Sequence, residues 1–380
     1  MDFDFYIDML NVDSTTGKEG EFAAMIVDKL SASGCRTDRF PVASMAAVTS
    51  QGCRQPENLL FSWGEPEVVF CTHLDTVPPY IQPTVVEDES GNPVEVRGRG
   101  TCDAKGQIFA MYEACMRLRE EGYDGFGLLL LAGEETGSFG AKAFREQFPG
   151  SGWVIVGEPT DNFIASASKG TKSFELTFEG KAAHSGYPDQ GISAVDLFNG
   201  FYNALCSIEF PEDAILGKTT WNVGKLESRN PQNILSDLLT CRLYFRTTFA
   251  SDQMVCNVMK NIAGENARLR FGTSKAQDKS DMAGSEPALW QKNLTIKAFG
   301  GDTPTKYDLL EGFDAKPVAF GSDAPQLDNF KHRILCGPGS ILVAHKPSEY
   351  IRIADIEKAV CNYCEMYRRI RSFESRDCAE

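Results

Sequence analysis

Histidine is scarce in this chain, with four in 380 residues, at positions 73, 184, 332 and 345. Clustered Lys and Arg are missing as well. With 38 basic residues against 53 acidic ones the formal net charge is −15, which excludes nucleic acid and anionic membrane surfaces as partners, because both demand a basic patch. No apolar run approaches the roughly 20 residues of a membrane-spanning helix. The opening MDFDFYIDMLNVDS carries acids where a secretory signal needs a basic segment followed by an apolar one, so a cytoplasmic, unexported protein is expected. Internal repeats and linker-like stretches are absent. The twelve cysteines are scattered singly, which excludes a disulfide framework. The close pair Cys361 and Cys364 lacks a second pair or a nearby histidine, so it reads as buried helix cysteines and not a metal knuckle.

What is present is the composition of an ordinary soluble globular protein, 42% hydrophobic and 24% charged. The length suggests two domains. In the first part, buried-strand runs at Val68 to Cys71, Phe126 to Ala132 and Trp153 to Val156 alternate with helical stripes such as Phe22, Met25, Ile26 and Leu30. That is the pattern of an α/β fold, a mostly parallel sheet flanked by helices. From about Lys169 the texture changes. Phe174, Leu176 and Phe178 alternate with polar residues, as do Leu239, Cys241, Leu243 and Phe245, so these strands have one wet face. Helical segments around Ile192 to Leu205 and Ser251 to Ile262 accompany them. The stretch GTSKAQDKSDMAGSEP reads as a connection, and buried-strand runs resume at Pro317 to Phe320 and Ile334 to Cys336. A catalytic domain, residues 1–167 and 284–380, is therefore expected to be interrupted by an inserted α+β domain over 168–283.

Acids and histidines recur where buried runs end. His73 follows VVFC in THLDTVP, at the C-terminal end of a strand, where open α/β sheets place ligands. Asp75, two residues on, leaves the same side of an extended chain and can fix the tautomer of His73. Asp103 lies in the glycine-rich GRGTCDAKG before a helix; alone it reads as an N-cap, and a phosphate loop is excluded by the missing P-loop spacing. Glu134 and Glu135 end the run FGLLLLA, and two adjacent like charges there call for cations or water; in isolation they read equally as a solvated pair at a helix start. Glu158 in WVIVGEPT repeats the arrangement, and His345 sits in GPGSILVAHKPSEY. His332, between basic residues, reads as a bystander. Nitrogen and carboxylate ligands without thiolates suit zinc, with cobalt or manganese as substitutes. An acidic protein can still be locally positive around bound cations.

In order and approximate spacing, THLDTVP, GRGTCDAKG, AGEETGS, VGEPT, GKAAHSGYP and the GPG to AHKPSEY segment resemble the acetylornithine deacetylase, succinyl-diaminopimelate desuccinylase and aminoacylase family of dinuclear metallopeptidases. The resemblance covers nearly the whole chain. It implies a zinc-peptidase-like catalytic domain with two Zn2+ per subunit, His73 and Glu158 on one ion, Glu135 and His345 on the other, and Asp103 bridging them. It also implies Glu134 as general base, Asp75 as partner of His73, and a cis peptide after Asp103. The inserted domain is implied to act as a lid and to form a homodimer, with His184 reaching the neighbouring subunit's site, and with Asn233 and Arg246 contacting substrate. The family's usual Asn-Val-Ile-Pro run is here Asn233-Ile-Leu-Ser236.

The activity expected first is removal of an acyl group from an N-acyl amino acid of the acetylornithine, acetyl-lysine or acetylcitrulline type. A dipeptidase or carboxypeptidase is the alternative, and a catalytically inactive metal-stabilised binding protein a third reading.

Overall fold

The computed structural model describes residues 1–45, 49, 52–150, 152–263 and 288–377. The expected connection GTSKAQDKSDMAGSEP lies outside the described residues. Two compact units emerge, the first made of Met1–Ser166, Tyr307–Lys316 and Ser322–Glu380, the second of Ala167–Lys306 and Pro317–Gly321.

The first unit is built on a six-stranded sheet in the order Arg36–Pro41, Glu57–Trp63, Phe126–Leu131, Val68–His73, Trp153–Val156 and His332–Leu335. The three pairings among its last four strands are parallel and the two at the other end antiparallel. The Val68–His73 and Phe126–Leu131 strands are buried at every position, which explains continuous apolar runs in place of alternation. Helices Lys105–Glu120 and Ile353–Asp377 pack against each other, and Ala110, Met111, Ala114, Leu118, Val360, Tyr363, Tyr367 and Ile370 join one core. Fully burying the larger apolar side chains among these, Met111, Leu118, Val360 and Ile370, contributes about 1.5–3 kcal/mol each. Tyr363 also donates its hydroxyl to the Cys336 carbonyl at 2.9 Å. Its polar tip is therefore satisfied inside the core.

A small antiparallel sheet, Thr84–Glu87, Pro93–Arg97 and Tyr350–Arg352, joins the first third of the chain to its last part. No helix among the described residues is long and apolar enough to cross a membrane.

The second unit is α+β. Its antiparallel sheet runs Thr220–Glu227, Leu238–Thr247, Gly170–Glu179 and Leu294–Gly300, with helices Ala194–Cys206 and Asp252–Ala263. The strand Leu238–Thr247 alternates buried and less buried positions. Its inward residues Leu239, Cys241, Leu243 and Phe245 meet Phe174, Leu176 and Phe178 and the helix residues Leu197, Phe201, Val255 and Met259 in one cluster. Ser193 starts the first of these helices by accepting the Asp196 amide at its hydroxyl, 3.2 Å away, an ordinary N-cap.

Two local expectations change. Pro317 to Phe320 does not form a buried strand of the central sheet; the strand is Ala315–Val318, buried only at Val318, in a three-stranded sheet with Ile164–Ser168 and Thr305–Lys306. Pro317 has no N–H for a central ladder, so the apolar run is a poor guide there. Of the cysteine pair, Cys364 is buried and donates to the Ala114 carbonyl, but Cys361 is exposed and takes a hydrogen bond from Arg117.

Candidate metal centre

Every candidate ligand belongs to the first unit, and all but His345, which lies in a turn, sit at or just beyond the end of a strand or just before a helix. His73 is the last residue of its strand and is buried. Glu134 and Glu135 follow the turn after Phe126–Leu131, where Gly133 takes a φ of 71°, a conformation open to glycine. Glu158 stands two residues beyond Trp153–Val156. Asp103 precedes helix Lys105–Glu120, and the peptide between Asp103 and Ala104 is cis. That helix has Ala104 at its N-cap without a side-chain capping bond, so the Asp103 carboxylate is not a cap. His345 lies near the chain's end with a φ of 64°.

These side chains converge. His73, Asp103 and Glu158 form one group whose ligand atoms all lie within 4.8 Å of one another; Asp103, Glu135 and His345 form a second, and His73, Glu134 and Glu135 a third. Asp103 is divided between two histidines, with Oδ1 3.0 Å from His73 Nε2 and Oδ2 3.1 Å from His345 Nε2. His345 Nε2 also lies 3.1 Å from Glu135 Oε1.

Asp75 meets the His73 nitrogen that faces away from the centre, although not through strand alternation. The strand stops at His73, so the alternation rule does not extend to Asp75. His73 Nδ1 donates to the Asp75 backbone carbonyl at 2.9 Å, with the Asp75 carboxylate 3.4 Å away. This bond leaves Nε2 for the centre. The carboxylate itself accepts the amides of Glu134 at 3.0 Å and Glu135 at 3.2 Å, and the Thr16 hydroxyl at 2.8 Å. Asp75 thereby holds the Glu134–Glu135 turn. Thr16 was not foreseen; a hydroxyl that acts through a partner 59 positions away leaves no local pattern.

The charges explain what the site lacks by itself. Burial pushes the Glu134 carboxyl well above its ordinary value, and the neighbouring charges of Glu158, Asp323 and Glu135 add to this against the pull of His73. Burial likewise raises Glu158, helped by Asp103, and raises Glu135. Burial also works to raise Asp103, but hydrogen bonds from His345 and His73 outweigh it and hold that carboxyl low. His345 is pushed up to about 10 by its bonds to Asp103 and Glu135. Buried acids in such number require compensating positive charge. Two imidazoles and four carboxylates form an oxygen and nitrogen donor set that fits divalent metal.

One prediction follows from the histidine charge. His345 carries a proton at neutral pH in the metal-free protein and must lose it to become a ligand. Metal uptake should therefore release protons, and affinity should rise with pH up to about 10. Calorimetric titration in buffers of different ionisation enthalpy measures the proton count; an affinity independent of pH would contradict it.

His184, Asn233 and Arg246 all belong to the second unit. His184 is exposed, and its Nδ1 accepts the Gly186 amide at 3.0 Å. A neutral ring so held carries its proton on Nε2 and can donate from there. Asn233 is nearby, its carbonyl accepting the Ser185 amide at 2.9 Å. Ser236, in place of proline, is buried, shares a 2.7 Å bond with the Ser228 hydroxyl and donates to the Leu238 carbonyl at 3.0 Å, anchoring the loop. Arg246 lies on strand Leu238–Thr247, stacked over Tyr244 with 5.0 Å from its guanidinium carbon to the ring centre. His332 is structural: it stacks on Trp153 and bonds Asp308 at 3.1 Å.

This fold and site define a metal-dependent hydrolase of amide or peptide bonds. The chain belongs to the Peptidase family M20/M25/M40, whose model matches residues 69–369. Among curated relatives, a protein of Aspergillus clavatus named as a probable carboxypeptidase is 32% identical over 390 residues, covering 94% of this chain and 86% of the relative. Among solved structures, a tripeptidase from Staphylococcus aureus superposes with a TM-score of 0.75 at 17% identity, covering 97% of both chains. An M20 family metallo-carboxypeptidase from Sulfolobus solfataricus gives 0.68 at 16% identity, covering 96% of this chain and 98% of that one.

Proposed function

We propose that this chain is a carboxypeptidase or dipeptidase of short peptides that works with two zinc ions per subunit, cobalt or manganese being able to substitute. The observation that carries the reading is the division of Asp103 between His73 and His345, which makes it the shared ligand of two adjoining groups. His73 and Glu158 complete one group, and Glu135 and His345 the other. The relatives' names move the substrate from an N-acyl amino acid towards a peptide.

Bound cations supply Lewis acidity for the carbonyl and for the attacking water. Glu134, a member of neither group that shares Asp103, accepts the proton of that water and returns it to the departing amine. Asp75 holds the turn that aims Glu134. Arg246 is suited to clamp a substrate carboxylate through its planar fork, with Asn233 as a further contact. His184 donates from Nε2 to the developing oxyanion across a homodimer, in a cytoplasmic protein.

Motifs such as DAKG and GEPT favour a second reading, an N-acyl amino acid deacylase. Zinc-loaded protein should be offered di- and tripeptides with free or amidated C-termini beside N-acetyl and N-succinyl amino acids. Fastest cleavage of free-acid peptides is the expected result; faster cleavage of the acyl amino acids reverses the order. For the dimer, mixing inactive His184→Ala and Glu134→Gln chains should regain activity through hybrids. No recovery after verified subunit exchange would confine His184 to its own subunit.

A further inference from the structure

The segments that carry Asp103 and His345 also carry Arg99 and Glu349, an ion pair that the chemistry above leaves without a task. Both side chains are sealed from solvent, 2% and 0% exposed, with Arg99 Nη1 2.5 Å from Glu349 Oε2. Backbone pairing brings them together. Tyr350–Arg352 pairs with Pro93–Arg97, and the Gly98 amide continues the ladder to the Glu349 carbonyl at 3.0 Å.

From this junction two arms reach the metal ligands. Glu349 Oε1 accepts the amides of Cys102 at 3.1 Å and Asp103 at 3.2 Å. Arg99 Nη2 donates to the carbonyl of His345 and Nη1 to that of Lys346, both at 3.4 Å, while Nε reaches the Pro79 carbonyl at 3.4 Å. His345 needs such support, because its φ of 64° is a left-handed conformation that residues with a side chain avoid. Stability alone does not explain a sealed pair, since apolar residues of similar volume commonly serve a core as well or better. Geometry does explain it. The four acceptors, one carboxylate and three carbonyls, are met by donors spread over Nε, Nη1 and Nη2, more than the three donors at the single nitrogen of an ammonium can reach.

We propose that Arg99 and Glu349 are positioning residues of the metal centre, one arm fixing the backbone of Asp103 and the other the strained backbone of His345. Between them they set the separation of two ligands that arrive from opposite ends of the chain. The inference rests on the ligand assignment above and adds a task for two residues that touch neither metal nor substrate.

The test uses full-length protein loaded with cobalt, comparing wild type with Arg99→Lys and with the paired change Arg99→Met and Glu349→Leu. Arg99→Lys keeps the charge and the ion pair but cannot span the carbonyls; the paired change removes both charges together, leaving no orphaned ion. The readouts are the rate of metal release to a chelator and the visible spectrum of the cobalt centre, which a general loosening of the fold does not shift. Release should quicken about 10- to 100-fold, the range for losing a residue that orients a ligand, and the absorption bands should move.

Wild-type release and spectrum in a folded variant would overturn the proposal. If the paired variant does not fold, Arg99→Lys decides; if that also loses its circular dichroism, the pair is a folding element and the proposal fails. A wild type that takes up no metal sinks the ligand assignment and this inference together, whereas normal uptake with unaltered release sinks this inference alone.

Discussion

Glu134→Gln should lower kcat by about two to four orders of magnitude, the usual contribution of a positioned general base, while metal content stays at the wild-type level. The side chains are nearly the same shape, so packing around the turn is kept, and the Glu134 amide still reaches Asp75 at 3.0 Å. What disappears is the proton acceptor. Glu134 is suited to that task because burial and the acids around it oppose its ionised form and so raise its affinity for a proton. Steady-state kinetics on protein of measured metal content make the test. Near-normal turnover would remove Glu134 from the chemistry.

Asp103→Ala should have the other large effect, the loss of metal from both groups. Each group that contains Asp103 offers only two further ligands, His73 with Glu158 or Glu135 with His345. The substitution deprives both at once. Asp103→Asn is the informative companion. It keeps one oxygen acceptor and loses the charge, so it should retain part of the metal that the alanine variant loses. Elemental analysis after dialysis reads the stoichiometry; an alanine variant with full metal content would show that Asp103 is not shared. Breaking this contact also takes from buried His73 the nearer of its two carboxylates, the other being Asp75, and the loss of one partner of a buried pair, up to about 3–5 kcal/mol, should lower the melting temperature of the metal-free protein.

The parts of this site that were legible in the sequence share one physical cause. A strand buried on both faces must be apolar until it leaves the sheet, so the first acid or histidine after such a run is conspicuous. His73, Glu134, Glu135 and Glu158 were visible for that reason. The alternation in Leu238–Thr247 was visible because one face is wet. Thr16, Arg99 and Glu349 were not, because they act on backbone groups or on another side chain's far oxygen, and such bonds impose no period on the residues around them. Membership of Arg99 and Glu349 in the same glycine- and proline-marked segments as Asp103 and His345 was the one available hint. Cys361 and Cys364 illustrate a different limit. Both were read as buried helix cysteines, yet only Cys364 meets the core.

The order in which the first unit takes its pieces from the chain has a consequence for biosynthesis. His73, Asp103, Glu135 and Glu158 leave the ribosome early, but His345 and the strand Tyr350–Arg352 that pairs with Pro93–Arg97 emerge only after the whole second unit. A nascent chain therefore carries Asp103, Glu135 and Glu158 without His345 while the whole second unit is made. Of the two groups that contain Asp103, the one with Glu135 and His345 can therefore be complete only once translation has passed His345, whereas His73, Asp103 and Glu158 are all made before the second unit begins.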